Sequence, residues 1–294
     1  MDLSKNKIFL NVIDAENLLE NCLRLNPPIA DTFGDFLSFD PSKVHSCEYY
    51  TAITLDPNKY AVDGTFTKYD CRVFNGCCSL FEAENRVFTA EMVYRAMNGL
   101  PNAEKVTAQQ AAAVTKSLNK QRNINIEIEI VDIDWGTTTT VASQCLEVQK
   151  ATIKGDPEYR MLSKPILYAF SKWLNQITSI PSKVLTVKDE AGERIRNTDD
   201  FTVIREYLLM RIEEMNNAMK HEGGEKSTVM IDINTFYSET DTNTAATKAT
   251  TKAREQARLC LEYWKSINYI SGYEFVKENP KSKNSPVTKL AISL

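Results

Sequence analysis

Residues 67–153 spell one order of elements, and residues 199–294 spell it again. In the first stretch, "TKYDCRVFNGCCSLFEAEN" places Val73, Cys77, Leu80 and Phe81 on one helical face, with Thr67 as N-cap. "RVFT" is a short extended step. "TAEMVYRAMNG" restarts a helix with Thr89 as cap, and its Asn98-Gly99 end is a C-cap signal. Thr107 caps a third helix, "TAQQAAAVTKSLNKQRN". "INIEIEIVDIDW" then alternates strictly at period two, the pattern of a half-buried strand. Its partner strand is expected near 144–153.

The second stretch opens with "DDFTVIREYLLMRIEEMNNAMK", a helix with Val203, Tyr207, Leu208 and Ile212 inward. "STVMIDI" is a short strand, and Asn234 is read as the cap of a short helix, "TFYSE". A long helix follows within 243–270. "ISGYEFVKENPKSKNSPVTKLAISL" reads as a hairpin with "ENPKSKNSP" at its tip. Helix, strand, helix, helix, ribbon is the order of a winged helix-turn-helix, whose third helix reads DNA and whose ribbon is the wing.

The expected fold is therefore α+β, with two winged helix-turn-helix domains in tandem, 67–181 and 182–294. An acidic N-terminal extension, 1–66, precedes them. A chain of 294 residues has room for both. Within the extension, "NVIDAENLLENCLRL" has helical spacing and "CEYYTAITLD" reads as a strand. Residues 164–181 read as a connecting segment with a helical core that Pro181 stops. The charged run "KDEAGERIRNTDD" reads as a boundary loop.

Charge is unevenly placed. The chain carries a net −4, yet residues 243–294 hold nine Lys/Arg against four Asp/Glu. The first 66 residues hold ten acids and five bases. A basic end on an acidic body points to a localised contact with a polyanion. The helix in 243–270 sorts its residues by face at about 100° per residue. Ala246, Ala249, Ala253, Ala257, Cys260, Trp264 and Ile267 fall on one side. Thr247, Lys248, Thr251, Lys252, Arg254, Arg258 and Lys265 fall on the other, with Lys277, Lys281 and Lys283 in the hairpin that follows. Arg can read guanine edges, and Lys and Thr can reach phosphates. The earlier third helix offers Lys116, Lys120 and Arg122, for which contact with DNA and with protein are equally open.

Enzyme signatures are missing. The chain has no phosphate-binding glycine loop, no G-x-S-x-G and no H-E-x-x-H. Its only histidines, His45 and His221, are isolated, so a His-x-His nicking site has no ligands. Glu127 and Glu129, two apart on a strand, read as an acidic solvent face and not as a metal site. Seven scattered cysteines without C-x-x-C read as reduced, mostly buried thiols. No cofactor, no metal and no catalysis are expected. The N-terminus lacks the layout of a signal peptide and no run is long enough to span a bilayer, so a cytoplasmic protein is expected.

"DCRVFNGCCSLFEAENRVFTAEMVYRAMNG", "KVTAQQAAAVTKSLNKQRNINIEIEI", "KPILYAFSKWLNQITSIPSKVL", "REYLLMRIEEMNN" and "REQARLCLEYWKSINYISGYEF" together resemble the replication-initiator-like (RepA-type) proteins of plasmids, phages and integrated elements of Firmicutes. The likeness runs over roughly 65–294. It implies two winged-helix lobes, one for dimerisation or secondary contacts and a C-terminal one that grips origin repeats. By position, Lys248, Lys252, Arg254 and Arg258 would be the main readers, and Lys281 and Lys283 the wing. The acidic leader departs from the simple initiators. The partner expected is double-stranded DNA. A homodimer, and a host replication or defence protein docking on the acidic regions, stay open. So does a regulator on the same scaffold: a transcription factor, or an inhibitor of a host nucleoprotein machine.

Overall fold

The computed structural model describes residues 21–25, 49–55, 67–132, 137–153, 156–173, 177–222, 228–282 and 285–294. The chain is α+β and divides into two compact units, Met1–Ser182 and Lys183–Leu294.

The first unit contains β1 (Asn21–Leu25), β2 (Tyr49–Leu55) and α1 (Lys68–Glu82). Then come β3 (Val87–Thr89), α2 (Ala90–Asn98) and α3 (Ala108–Arg122). Two hairpins follow: β4 (Ile124–Asp132) with β5 (Thr137–Gln144), and β6 (Val148–Ile153) with β7 (Asp156–Met161). The unit closes with α4 (Ile166–Trp173) and β8 (Ile177–Pro181). Its described strands form three sheets, ordered β3-β7-β6, β2-β4-β5 and β1-β8. All pairings are antiparallel.

Local chemistry explains where the helices start. Thr67 and Thr107 each form a capping box, in which the side chain accepts from the third backbone N–H and the third residue's side chain answers. Thr89 caps α2, and Gly99 ends it in the left-handed region at φ 65°. The core gathers Phe74, Cys77 and Leu80 of α1, Val93 and Met97 of α2, Val114 and Leu118 of α3, and Phe88 and Tyr159, whose rings stack 5.8 Å apart. Burying such a side chain fully is worth about 1.5–3 kcal/mol. At Gly76 a Cβ would meet the Val93 carbonyl oxygen at 3.0 Å and Met97 Cβ at 3.2 Å, so α1 and α2 cross where a glycine permits close approach.

Asp70 joins α1 to α3. Its carboxylate accepts from Ser117 Oγ at 2.6 Å and from Lys120 Nζ at 2.9 Å, besides the Thr67 backbone N–H at 2.8 Å. Burial alone would raise the Asp70 pKa, but the hydrogen bonds from Ser117, Lys120 and Thr67 outweigh it and hold the group below its usual value of 3.8. A carboxylate depressed in this way contributes stability that is fully present above about pH 4 and is lost as pH falls through its folded pKa. Asp70→Asn is therefore expected to lower stability at pH 7 and to flatten the acid limb below about pH 4. Urea unfolding at pH 7 and pH 3 checks this; an equal loss at both pH values would contradict it.

Lys183–Leu294 starts within α5 (Ser182–Leu185), a single turn. It continues with α6 (Asp199–Glu222), β9 (Thr228–Asp232), α7 (Ile233–Glu239), α8 (Thr247–Ser266), β10 (Gly272–Lys277) and β11 (Val287–Ser293). The sheet is ordered β10-β11-β9, so the first strand pairs with the last. Helix, strand, helix, helix and hairpin thus recur in both units, each with the early strand against the hairpin.

Four expectations are corrected. The hairpin beside β3 is β6–β7, while β4 pairs with β2 and β5; only Gln144 of the expected partner segment lies opposite it. Period-two alternation marks a strand but carries no information about its partner. Of the helix read over residues 11–25, residues 21–25 form the strand β1 instead, and residues 11–20 lie outside the described residues. The described strands of 1–66 do not stand apart, since β1 pairs with β8 and β2 with β4. α7 is capped by Asp232, whose carboxylate accepts from the N–H groups of Asn234 and Thr235.

The charged run at 188–200 is built into the second unit. Arg205 of α6 is fully buried. Its Nη1 donates to the Leu185 carbonyl at 2.6 Å and to Asn197 Oδ1 at 3.1 Å, and its Nη2 donates to Glu206 Oε1 at 3.0 Å. One side chain therefore ties both ends of the run to the helix behind it.

Candidate nucleic-acid interface

α8 has two chemically distinct faces. Ala253, Ala257, Cys260, Leu261 and Trp264 are buried, and Trp264 Nε1 donates to the Val184 carbonyl at 2.9 Å. The alanines keep the N-terminal half of this face thin, and Trp264 anchors the other half. Burial pushes the Cys260 thiol up to about 12, which leaves it protonated and unreactive. Lys248, Thr251, Lys252, Glu255, Arg258, Leu259, Glu262 and Lys265 are exposed. The wheel drawn from sequence separates the buried Ala253, Ala257, Cys260 and Trp264 from the exposed Lys248, Thr251, Lys252, Arg258 and Lys265, while Ala246, Ala249 and Ile267 of its inner side are only half-buried. Arg254 is half-buried, its Nε donates to the Thr250 carbonyl at 3.4 Å, and its charge acts on the Tyr237 phenol of α7.

Beside this face stands the β10–β11 hairpin. Where its strands end, the Glu278 N–H donates to the Pro286 carbonyl at 3.0 Å and the Asn279 N–H donates to Ser285 Oγ at 2.7 Å. Lys281 is exposed there, and its N–H donates to Asn279 Oδ1. Lys277 is half-buried on β10. Lys283 lies outside the described residues. Lys289, exposed on β11 opposite Asp232, adds a cation that the sequence reading passed over.

Helix and hairpin are fastened together by polar and aromatic contacts. Tyr273 of β10 donates its hydroxyl to Glu262 Oε1 at 2.5 Å. Burial, and then the Glu262 charge, push the Tyr273 phenol up to about 12. Arg258 lies over the Phe275 ring at 5.9 Å. Two of the outer cations have carboxylate partners. Lys252 Nζ lies 2.6 Å from Asp200 Oδ2, and Arg258 Nη1 lies 2.9 Å from Glu255 Oε1. Both pairs are exposed, so their net worth is small and they can exchange for phosphate at little cost.

The first unit is arranged differently. Lys116 is exposed on α3 and Arg122 is half-buried, but Lys120 turns inward to Asp70 and is spent on joining two helices. The hairpin next to β3 exposes Lys150 and Arg160, neither of which the sequence reading selected. The signal was present: "TIKGDPEYR" places Gly155 between two strand-like runs.

Among the described residues no cluster of three or more His, Cys, Asp or Glu side chains could hold a metal ion. Cys71, Cys77, Cys78 and Cys145 form no disulfide, and burial raises the last three well above the usual thiol range. No described helix is long and apolar enough to cross a membrane. The side chains of Glu127 and Glu129 lie outside the described set.

No family model matches the chain, and no curated protein matches it. Two solved structures of domains 2 and 3 of RctB are similar in backbone trace. One has a TM-score of 0.43 at 7% identity and covers 90% of this chain and 97% of its own. The other has a TM-score of 0.39 at 6% identity and covers 84% and 91%. Similarity at this level assigns no family and no function.

Proposed function

We propose that this protein binds duplex DNA through the Lys183–Leu294 unit, as a replication-initiator-like protein without catalysis of its own. In this reading both units are winged helices, α8 enters the major groove and the β10–β11 hairpin lies along the backbone. One observation carries it. α8 exposes Lys248, Thr251, Lys252, Arg258 and Lys265 on the face opposite its packed alanines, and its outer face touches the β10–β11 hairpin, whose tip bears Lys281. An α-helix fits the major groove, Arg and Lys pair with guanine O6 and N7, and threonine contacts thymine methyls or phosphates. The acidic remainder of the chain biases attraction for a polyanion toward that face.

The first unit contributes less charge at its third helix, because Lys120 is committed to Asp70. It is assigned a secondary role, in which Lys116, Arg122, Lys150 and Arg160 add contacts along the duplex. Selection of bound duplexes from a random pool, at two salt concentrations, tests the reading. A shared motif whose recovery falls at the higher salt is expected. Recovery of unrelated sequences at both concentrations would overturn it.

A further inference from the structure

α8 carries two carboxylates on an outer face that is otherwise basic, and they are held in different ways. Glu262 accepts the Tyr273 hydroxyl and so fastens the helix to β10. Glu255 holds Arg258: both carboxylate oxygens accept from Arg258 Nη1, at 2.9 and 3.0 Å. The same guanidinium lies 5.9 Å from the centre of the Phe275 ring. An exposed arginine on a long stem ordinarily samples many rotamers. This one is fixed both from its own helix and from the neighbouring strand. The pair remains open to solvent, with side-chain exposures of 49% for Arg258 and 57% for Glu255, so stability is a poor reason for it. A carboxylate facing a polyanion also weakens attraction to it. What Glu255 can supply in return is selectivity.

We propose, resting on the reading that α8 enters the major groove, that Glu255 and Arg258 form one reading unit for a C·G base pair. Arg258 donates to guanine O6 and N7. Its fork is already oriented by Glu255 and Phe275, so less conformational freedom is lost when it docks. Glu255 has only acceptors, and the major-groove edge of cytosine presents the N4 amino donor. Thymine O4 or guanine O6 at that place would set acceptor against acceptor, which penalises the wrong base. Glu255 is thus a specificity residue that lowers general affinity and raises discrimination.

The test is the random-pool duplex selection repeated with Glu255→Ala and with Arg258→Lys. The wild type is expected to select a motif containing an invariant C·G position. Glu255→Ala should keep the other positions, lose about tenfold or more in preference at that one, and bind unrelated duplex as well as the wild type or better. Arg258→Lys keeps the charge, so it should keep the salt dependence while losing the same position. If the wild type selects a motif and Glu255→Ala selects it unchanged, the reading unit is wrong and DNA binding stands. If Glu255→Ala weakens every position alike, the pair is only structural and the inference fails. If the wild type selects no motif, the proposed function fails, and this inference with it.

Discussion

A protein carrying Lys248→Ala, Lys252→Ala and Lys281→Ala together is expected to lose about three orders of magnitude in duplex affinity near 0.1 M salt. The magnitude follows from counterion release. A slope of about −0.9 per phosphate contact makes each contact worth nearly tenfold between about 1 M and about 0.1 M salt. The three side chains are exposed and lie on α8 and at the hairpin tip. Lys252 must leave Asp200 to reach a phosphate, but that pair is more than half exposed on both sides and costs little to part. The loss should be uniform across duplex sequences, and the salt slope should become shallower by about three. Anisotropy titrations against a selected and an unrelated duplex, with circular dichroism to verify folding, measure both. A triple variant within threefold of the wild type would remove α8 and the hairpin from the interface.

Arg205→Ala is expected to destabilise the Lys183–Leu294 unit by about 3–5 kcal/mol. Arg205 has no exposed surface, and its removal takes a donor from three acceptors: the Leu185 carbonyl, Asn197 Oδ1 and the Glu206 carboxylate. A buried group left unsatisfied costs about 1–3 kcal/mol, and more when it is charged. The cavity left by the long side chain adds to this. The damage should spread to the reader helix, because Trp264 is anchored on the Val184 carbonyl, one residue from Leu185. Arg205→Lys keeps the charge but cannot reproduce the fork, so an intermediate loss is expected. Urea denaturation reports both variants. A shift under 1 kcal/mol for the alanine variant would mean that Arg205 is not the tie between the charged run and α6.

Much of the fold was legible because the signals are local. Thr67, Thr89, Thr107 and Gly99 each act within one turn of backbone, and each sits at the helix end its chemistry predicts. The two-faced character of α8 was legible because its period reports burial directly. Strand partnership was not, since β4 alternates equally well whichever neighbour it takes, and the choice of β2 and β5 depends on contacts far apart in sequence. Arg205 was missed because a lone arginine in an amphipathic helix looks like a surface residue until its three partners are seen. Lys120 shows the converse. Its position beside Lys116 marks it as outward-facing, yet Asp70, fifty residues earlier, draws it in.

The most direct single measurement is the salt dependence of duplex binding by the unmodified protein, from about 0.05 to about 0.2 M. With Lys248, Lys252, Arg258, Lys265 and Lys281 meeting phosphates or base edges, the logarithm of the binding constant should fall linearly with the logarithm of salt, with a slope of about −4. A binding constant that stays flat across that range, or no duplex binding at its lower end, would contradict a DNA-reading role for α8 and its hairpin.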